Sequence, residues 1–171
     1  NEAIGKLLTN LSERYPEVEV VLKHGTSADT LAGIRNGSLD AGLYNEPDEP
    51  DLELATVHVS EFTIYVASPP GLVTVSDPLD WKALAELPWV YPGASACCGR
   101  TAERLFKLQH IHPKRIISVD RQDVTRTLIA GGVGVGLLHA EMAKRAQRTG
   151  EVELVYEAPT AVRVLFAHLA N

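Results

Sequence analysis

The sequence predicts an α/β protein of two lobes joined by two crossing β-strands. Helical and strand-like segments alternate along the chain, and Ser68-Pro69-Pro70-Gly71 splits that alternation in two. The last apolar run, Val162 to Leu169, has no later helix to complete a unit, so it reads as a strand returning to the first lobe. With 171 residues, the chain is long enough for one ordinary domain or two small lobes with separate cores.

Each element follows from local pattern. Ile4, Leu7, Leu8 and Leu11 form one apolar helical face over Glu2 to Arg14, and Tyr15-Pro16 stops it. Val18, Val20 and Leu22 alternate over Glu17 to Lys23, with Val21 on the other face, which predicts a strand covered on both sides. Thr26 or Ser27 caps a helix carrying Leu31 and Ile34, and Asn36-Gly37 closes it. Leu39 to Tyr44 reads as a strand, so the opening stretch implies βαβ units and a parallel sheet. A solvated loop follows over Asn45 to Asp51, then β-rich segments over Leu52 to Val59 and Glu61 to Ala67.

Beyond the break, Asp80 caps a short helix with Trp81, Leu84 and Leu87, and Trp89 to Tyr91 is a strand closed by Pro92-Gly93. A helix from about Arg100 to Gln109, a strand over Arg115 to Val119 and a helix over Val124 to Ala130 come next. Val133 to Leu138 is a glycine-rich strand, Glu141 to Arg148 a helix, and Glu151 to Tyr156 and Ala161 to Leu169 are strands. The expected boundaries are residues 1–60 for lobe I, 61–67 for an outgoing hinge strand, 68–157 for lobe II and 158–171 for the returning strand.

Composition excludes several function classes. Apolar residues make up 45% and charged residues 22%, the balance of a folded soluble domain. Net charge is −6 with no basic run, which repels a phosphate backbone and argues against nucleic-acid binding by this chain itself. No stretch approaches the ~20 apolar residues of a membrane span, and no signal-peptide pattern is present. The chain opens at Asn1 without Met, so the missing signal says little about a parent protein. Two adjacent cysteines make no disulfide framework and fit a reducing cytoplasm.

Chemistry-bearing residues are few. Gly25-Thr26-Ser27 ends a strand and opens a helix, where backbone N–H groups and a hydroxyl attract an anion; a simple N-cap needs the same residues. Pro92-Gly93-Ala94-Ser95-Ala96 is the equivalent small-residue turn of the second lobe, open to a ligand or merely pliant. Cys97 and Cys98, near Arg100 and a helix start, suggest a reactive thiolate, an effector contact or plain packing. Adjacent cysteines bridge only in a strained ring, and no third cysteine exists to resolve a sulfenate. Gly132-x-Gly134-x-Gly136 follows a helix instead of a strand, which fits a C-cap leading into a close-packed strand and not a nucleotide loop. His110 and His112 lack the spacing of a helical metal pair, so no metal site and no cofactor are expected. No nucleophile elbow, Ser-His-Asp order or carboxylate dyad is present, which predicts a non-enzyme.

Tyr15-Pro16-Glu17-Val18-Glu19-Val20, then Leu31, Ile34, Gly37 and Leu39-Asp40-Ala41-Gly42-Leu43, resemble the effector-binding domain of LysR-type transcriptional regulators. Trp81, Leu84 and Leu87-Pro88-Trp89-Val90 are similar to that family's next conserved segment, and Ala130 to Leu138 resembles its late glycine cluster. The resemblance runs in order over nearly the whole chain. It departs at His139, where the family usually has proline, and the family's first strand, closing helix and N-terminal winged helix-turn-helix are absent from this chain.

The resemblance implies two Rossmann-like lobes in a type 2 periplasmic-binding-protein-like arrangement. It implies a small, anionic effector in the inter-lobe cleft, held by Thr26 and Ser27 from one side and by Gly93, Ala94, Ser95 and Ala96 from the other. Val135 would line that cavity, and Cys97, Cys98 and Arg100 would contact the effector or sense oxidants. It implies a homodimer or homotetramer pairing the first helix, around Ile4 to Leu11, with the partner's second lobe. DNA would be reached only through the missing N-terminal domain, in the cytoplasm and without a membrane. A periplasmic solute-binding protein of a transporter shares this fold, as do some enzymes.

Overall fold

The structure, a computed structural model, describes residues 2–46, 51–93 and 96–170. The chain divides into two compact units. Unit 1 comprises residues 1–44, 51–59 and 165–171, and unit 2 comprises residues 45–50 and 60–164.

Unit 1 begins with α1 (Glu2–Arg14) and α2 (Ser27–Asn36). Thr26 caps α2 in a reciprocal box: its hydroxyl accepts the Asp29 N–H at 3.1 Å, and its own N–H donates to the Asp29 carboxylate at 3.1 Å. Gly37 ends the helix with φ +82°, a conformation that costs glycine nothing. A three-stranded sheet orders β1 (Gly42–Asn45), β8 (Val162–Leu169) and β2 (Leu54–Phe62), with β8 central. Leu31, Ile34, Tyr44, Leu54, Leu165 and Ala167 form this unit's core. Apart from the short segment 45–50, which belongs to unit 2, the chain crosses from unit 1 to unit 2 inside β2, between Val59 and Ser60, and returns inside β8, between Val164 and Leu165.

One predicted element is absent. Residues 17–23 form no strand, and Val18, Val20, Val21 and Leu22 are all exposed. Alternation supplies β-propensity, but a strand exists only through its ladder, and the sheet of this unit runs from β1 to β2 without reaching this segment.

Unit 2 is built on a five-stranded sheet of order β5 (Ile116–Ser118), β4 (Trp89–Tyr91), β6 (Val135–His139), β3 (Ile64–Ser68), β7 (Glu153–Glu157). β5, β4 and β6 are parallel, while β3 is antiparallel to both of its neighbours. The sheet is therefore mixed. Four helices accompany it: α3 (Trp81–Ala85), α4 (Cys97–Gln109), α5 (Gln122–Ala130) and α6 (Ala140–Arg148). Asp80 caps α3 by accepting the Ala83 N–H at 3.1 Å. Trp89 is fully buried, donates its indole N–H to the Leu84 carbonyl at 2.9 Å, and meets Phe106 edge-on at 5.0 Å. After α5, Gly132 takes φ +89° and Gly134 packs against the Pro88 carbonyl, so the glycine cluster is a turn into a close-packed strand.

Helix α4 starts at Cys97, three residues before the predicted Arg100. Its N-cap is Ala96, which offers no side-chain bond, so the start carries no capping signature in the sequence.

Candidate functional site

Strands β4, β5 and β6 run parallel, and their carboxyl ends feed α4, α5 and α6 respectively. In α/β sheets this edge is where ligands are met, because helix N-termini and strand ends converge there. Cys97 and Cys98 follow β4, Gln122 opens α5 after β5, and His139 ends β6. Three connections thus deliver four polar side chains to one edge.

Gly99 fixes α4 against the preceding turn. A Cβ at this position would overlap the Gly93 carbonyl, so only glycine allows the helix to lie so close. The same carbonyl accepts the Ala96 N–H at 3.1 Å. With Ala96 giving no side-chain cap, the first turn of α4 keeps the positive end of its dipole available to a negative group.

The negative group nearest to hand is Cys97 itself. Its Sγ lies 3.6 Å from His139 Nε2 and accepts the Asn45 side-chain N–H at 3.6 Å. The neighbouring Cys98 thiol donates to it, and His139 and Arg100 add positive charge; against the opposing effect of burial, these hold the Cys97 thiol at about 5. Cys98 moves the other way, raised because its proton is held by Cys97 and because it is buried. The pair divides into one thiolate and one thiol. Gln122 ties the arrangement together: its amide N–H reaches Cys98 Sγ at 3.7 Å and the Leu137 carbonyl at 3.3 Å, and its Oε1 accepts the His139 N–H at 2.8 Å. Phe62 lies over the His139 ring with centroids 4.5 Å apart. Arg100 donates to the Glu46 carbonyl at 3.4 Å.

The sequence-predicted residues fall in three places. Thr26 and Ser27 lie in unit 1, Thr26 exposed and engaged in its capping box, Ser27 half-buried at the start of α2. In unit 2, Gly93 is exposed, Ala96 is the α4 N-cap, and Cys97, Cys98 and Arg100 share the first turn of that helix. Ala94 and Ser95 lie outside the described residues. Val135 is fully buried in the core around Trp89. Asn45, Gln122 and His139 are additions that sequence reasoning did not make. His139 was visible only as a departure from the family's proline; Asn45 and Gln122 carried no local signal, standing 52 and 24 residues from the sulfurs they reach.

A family profile described as the LysR substrate binding domain matches residues 1–170. The HTH-type transcriptional regulator cbl of Klebsiella aerogenes is 26% identical over 159 residues, covering 92% of this chain and 47% of that protein. Among solved structures, the Synechocystis PCC6803 CcmR regulatory domain in complex with 2-PG superposes with a TM-score of 0.73 at 20% identity, covering 99% of this chain and 83% of that one. The reduced regulatory domain of OxyR2 from Vibrio vulnificus gives 0.72 at 17% identity, covering 98% and 80%. These likenesses show the fold, and the chain spans about half the length of the curated relatives it matches.

Proposed function

This chain belongs to the LysR substrate binding domain family, and from that premise we propose that it is the ligand-sensing domain of a bacterial LysR-type transcriptional regulator, reading a small anionic effector. The match of the family over residues 1–170 carries this reading. The structure supports the anionic character of the ligand at one point: α4 opens without a side-chain cap beside Arg100, on the ligand-binding edge of a parallel strand set. Thr26, Ser27, Gly93, Ala94, Ser95, Ala96 and Val135 are the proposed effector contacts. An effector acts by binding one conformation better than another, which changes the equilibrium between states of the whole regulator. DNA contact belongs to a part of that regulator outside this chain. The working location is the cytoplasm; among the described residues no helix is long and apolar enough to cross a membrane.

A second copy of the chain is the proposed protein partner, paired through α1. No α1 residue joins a core cluster among the described residues, and Leu7 is 39% exposed. Ile4, Leu8 and Leu11 are only partly buried, so this face keeps apolar surface for a partner.

Thermal-shift screening against small carboxylates, aromatic acids and amino acids tests the effector reading. A ligand at 100 times its Kd adds about 2.7 kcal/mol to folding stability and raises Tm accordingly. Thr26→Val abolishes that shift if the α2 turn anchors the ligand. A screen in which no acid raises Tm overturns the anionic effector.

A further inference from the structure

Cys97 Sγ, Cys98 Sγ and a ring nitrogen of His139 all lie within 4.8 Å of one another, in unit 2, with His139 Nε2 3.6 Å from Cys97 Sγ. We propose that these three atoms form a binding site for a thiophilic d10 cation, Cu+ or Zn2+, at the carboxyl edge of β4 and β6. The inference stands apart from the effector reading, because it uses unit 2 residues alone and needs no organic ligand.

Spacing is the first support. An ion holding a sulfur at about 2.3 Å and an imidazole nitrogen at about 2.05 Å, at the tetrahedral angle, keeps those two atoms about 3.55 Å apart. Cys97 Sγ and His139 Nε2 stand at 3.6 Å. A thiol–imidazole hydrogen bond accounts for that distance too, but it does not require a second sulfur to converge on the same point. Here Cys98 does converge, although adjacent residues on a helix normally point apart.

The surroundings are those of a metal centre. His139 is fixed by its backbone N–H bond to Gln122 Oε1 and by the Phe62 ring over its imidazole. Asn45 and Gln122 each direct an amide N–H at one sulfur, the outer-shell bonds that orient thiolate ligands. Cys98 is 1% exposed and Cys97 8% exposed, so an ion enters past Cys97 and is then shielded from water. Two thiolates and an imidazole are soft donors, which selects Cu+ and Zn2+ over Mg2+ or Ca2+.

Charge balances for both ions. On binding, any proton still present on either sulfur or on His139 Nε2 passes to solvent as that atom bonds the cation. The two thiolates then give a neutral site with Zn2+ and a site of charge −1 with Cu+. The N-terminus of α4 and Arg100 favour the anionic complex, hence Cu+. A zinc ion keeps its fourth position for an outside donor.

The test uses reduced, chelator-washed chain under anaerobic conditions, titrated with Cu+ against a chromophoric cuprous chelator and with Zn2+ against a chromophoric zinc chelator. At least one of the two ions is retained at one equivalent per chain, and a Cys97→Ser/Cys98→Ser double variant releases it. Loss of an outer-shell partner alone typically costs about 10–100-fold in affinity, so His139→Gln weakens binding by at least about tenfold. Circular dichroism verifies that each variant is folded; should the double variant not fold, His139→Gln and a Co2+ titration, read by sulfur-to-cobalt charge transfer, decide the matter. Retention of neither ion overturns the site. So does His139→Gln binding as tightly as the parent, because two sulfurs would then suffice. Either failure leaves effector-induced thermal shifts as they are.

Discussion

The Thr26 hydroxyl already accepts the Asp29 N–H, so an effector at this turn shares the group with the helix cap. Substitutions separate the two uses. Thr26→Ala removes the cap and lowers the free energy of unfolding by about 1 kcal/mol, while Thr26→Asn, which keeps a capping oxygen, changes it by only a few tenths. Urea unfolding reads both. If Thr26→Asn is as stable as the parent but no longer responds to an effector, the hydroxyl contacts the ligand. Cys97 makes a second prediction at this scale. Its folded thiol is held at about 5, against 9.0 ordinarily, so the nucleophilic thiolate persists to lower pH than for a free cysteine. In chelator-washed protein, one thiol is alkylated by iodoacetamide at a rate that rises through pH about 5 and is flat above about 7, while Cys98 stays unmodified until the chain is unfolded. A single half-point near pH 9 contradicts the assignment. The cap and the cysteine pair were legible in the sequence because both are local: a hydroxyl three residues before an aspartate, and two neighbours beside an arginine. His139 was not, since only folding closes the 42 residues between it and Cys97.

Among elements, local signals succeeded where they coincided with tertiary pairing. Helix α2 begins at Thr26, one of the two caps the sequence offered, α3 begins at the predicted Asp80 cap, and β4 and β8 fall where the sequence pattern placed them. Residues 17–23 carry an equally clear alternation and remain unpaired, because periodicity specifies a face and not a neighbour. The start of α4 was missed for the opposite reason: it is set by packing of Gly99 on the Gly93 carbonyl, and nothing in its own sequence caps it. That contact makes a prediction. Gly99→Ala drives a Cβ into the Gly93 carbonyl, so it costs about 1–3 kcal/mol and pushes the start of α4 away from Gly93. Val21→Thr, in the exposed segment, changes stability by less than about 0.5 kcal/mol. Equal urea midpoints for the two variants would remove the packing explanation for where α4 begins.

For the molecule as a whole, each unit carries its own core, around Ile34 and Leu165 in one and around Trp89 and Val135 in the other. Neither includes α1, whose Ile4, Leu7, Leu8 and Leu11 would face one way and join no core cluster among the described residues. Apolar side chains left in water are unfavourable by about 25 cal/mol per Å², and a stable homodimer buries about 800 Å² on each partner. The α1 stripe with the neighbouring exposed Val18, Val20 and Leu22 offers a start toward such an area. Sedimentation at micromolar concentration is therefore expected to give a dimer, and Leu7→Glu with Leu11→Lys to give a monomer. Because α1 contributes to no core cluster, the monomeric variant keeps the cores of both units, and its circular dichroism spectrum is unchanged. A parent chain that sediments as a monomer throughout, or a double variant that stays dimeric, removes α1 from the interface.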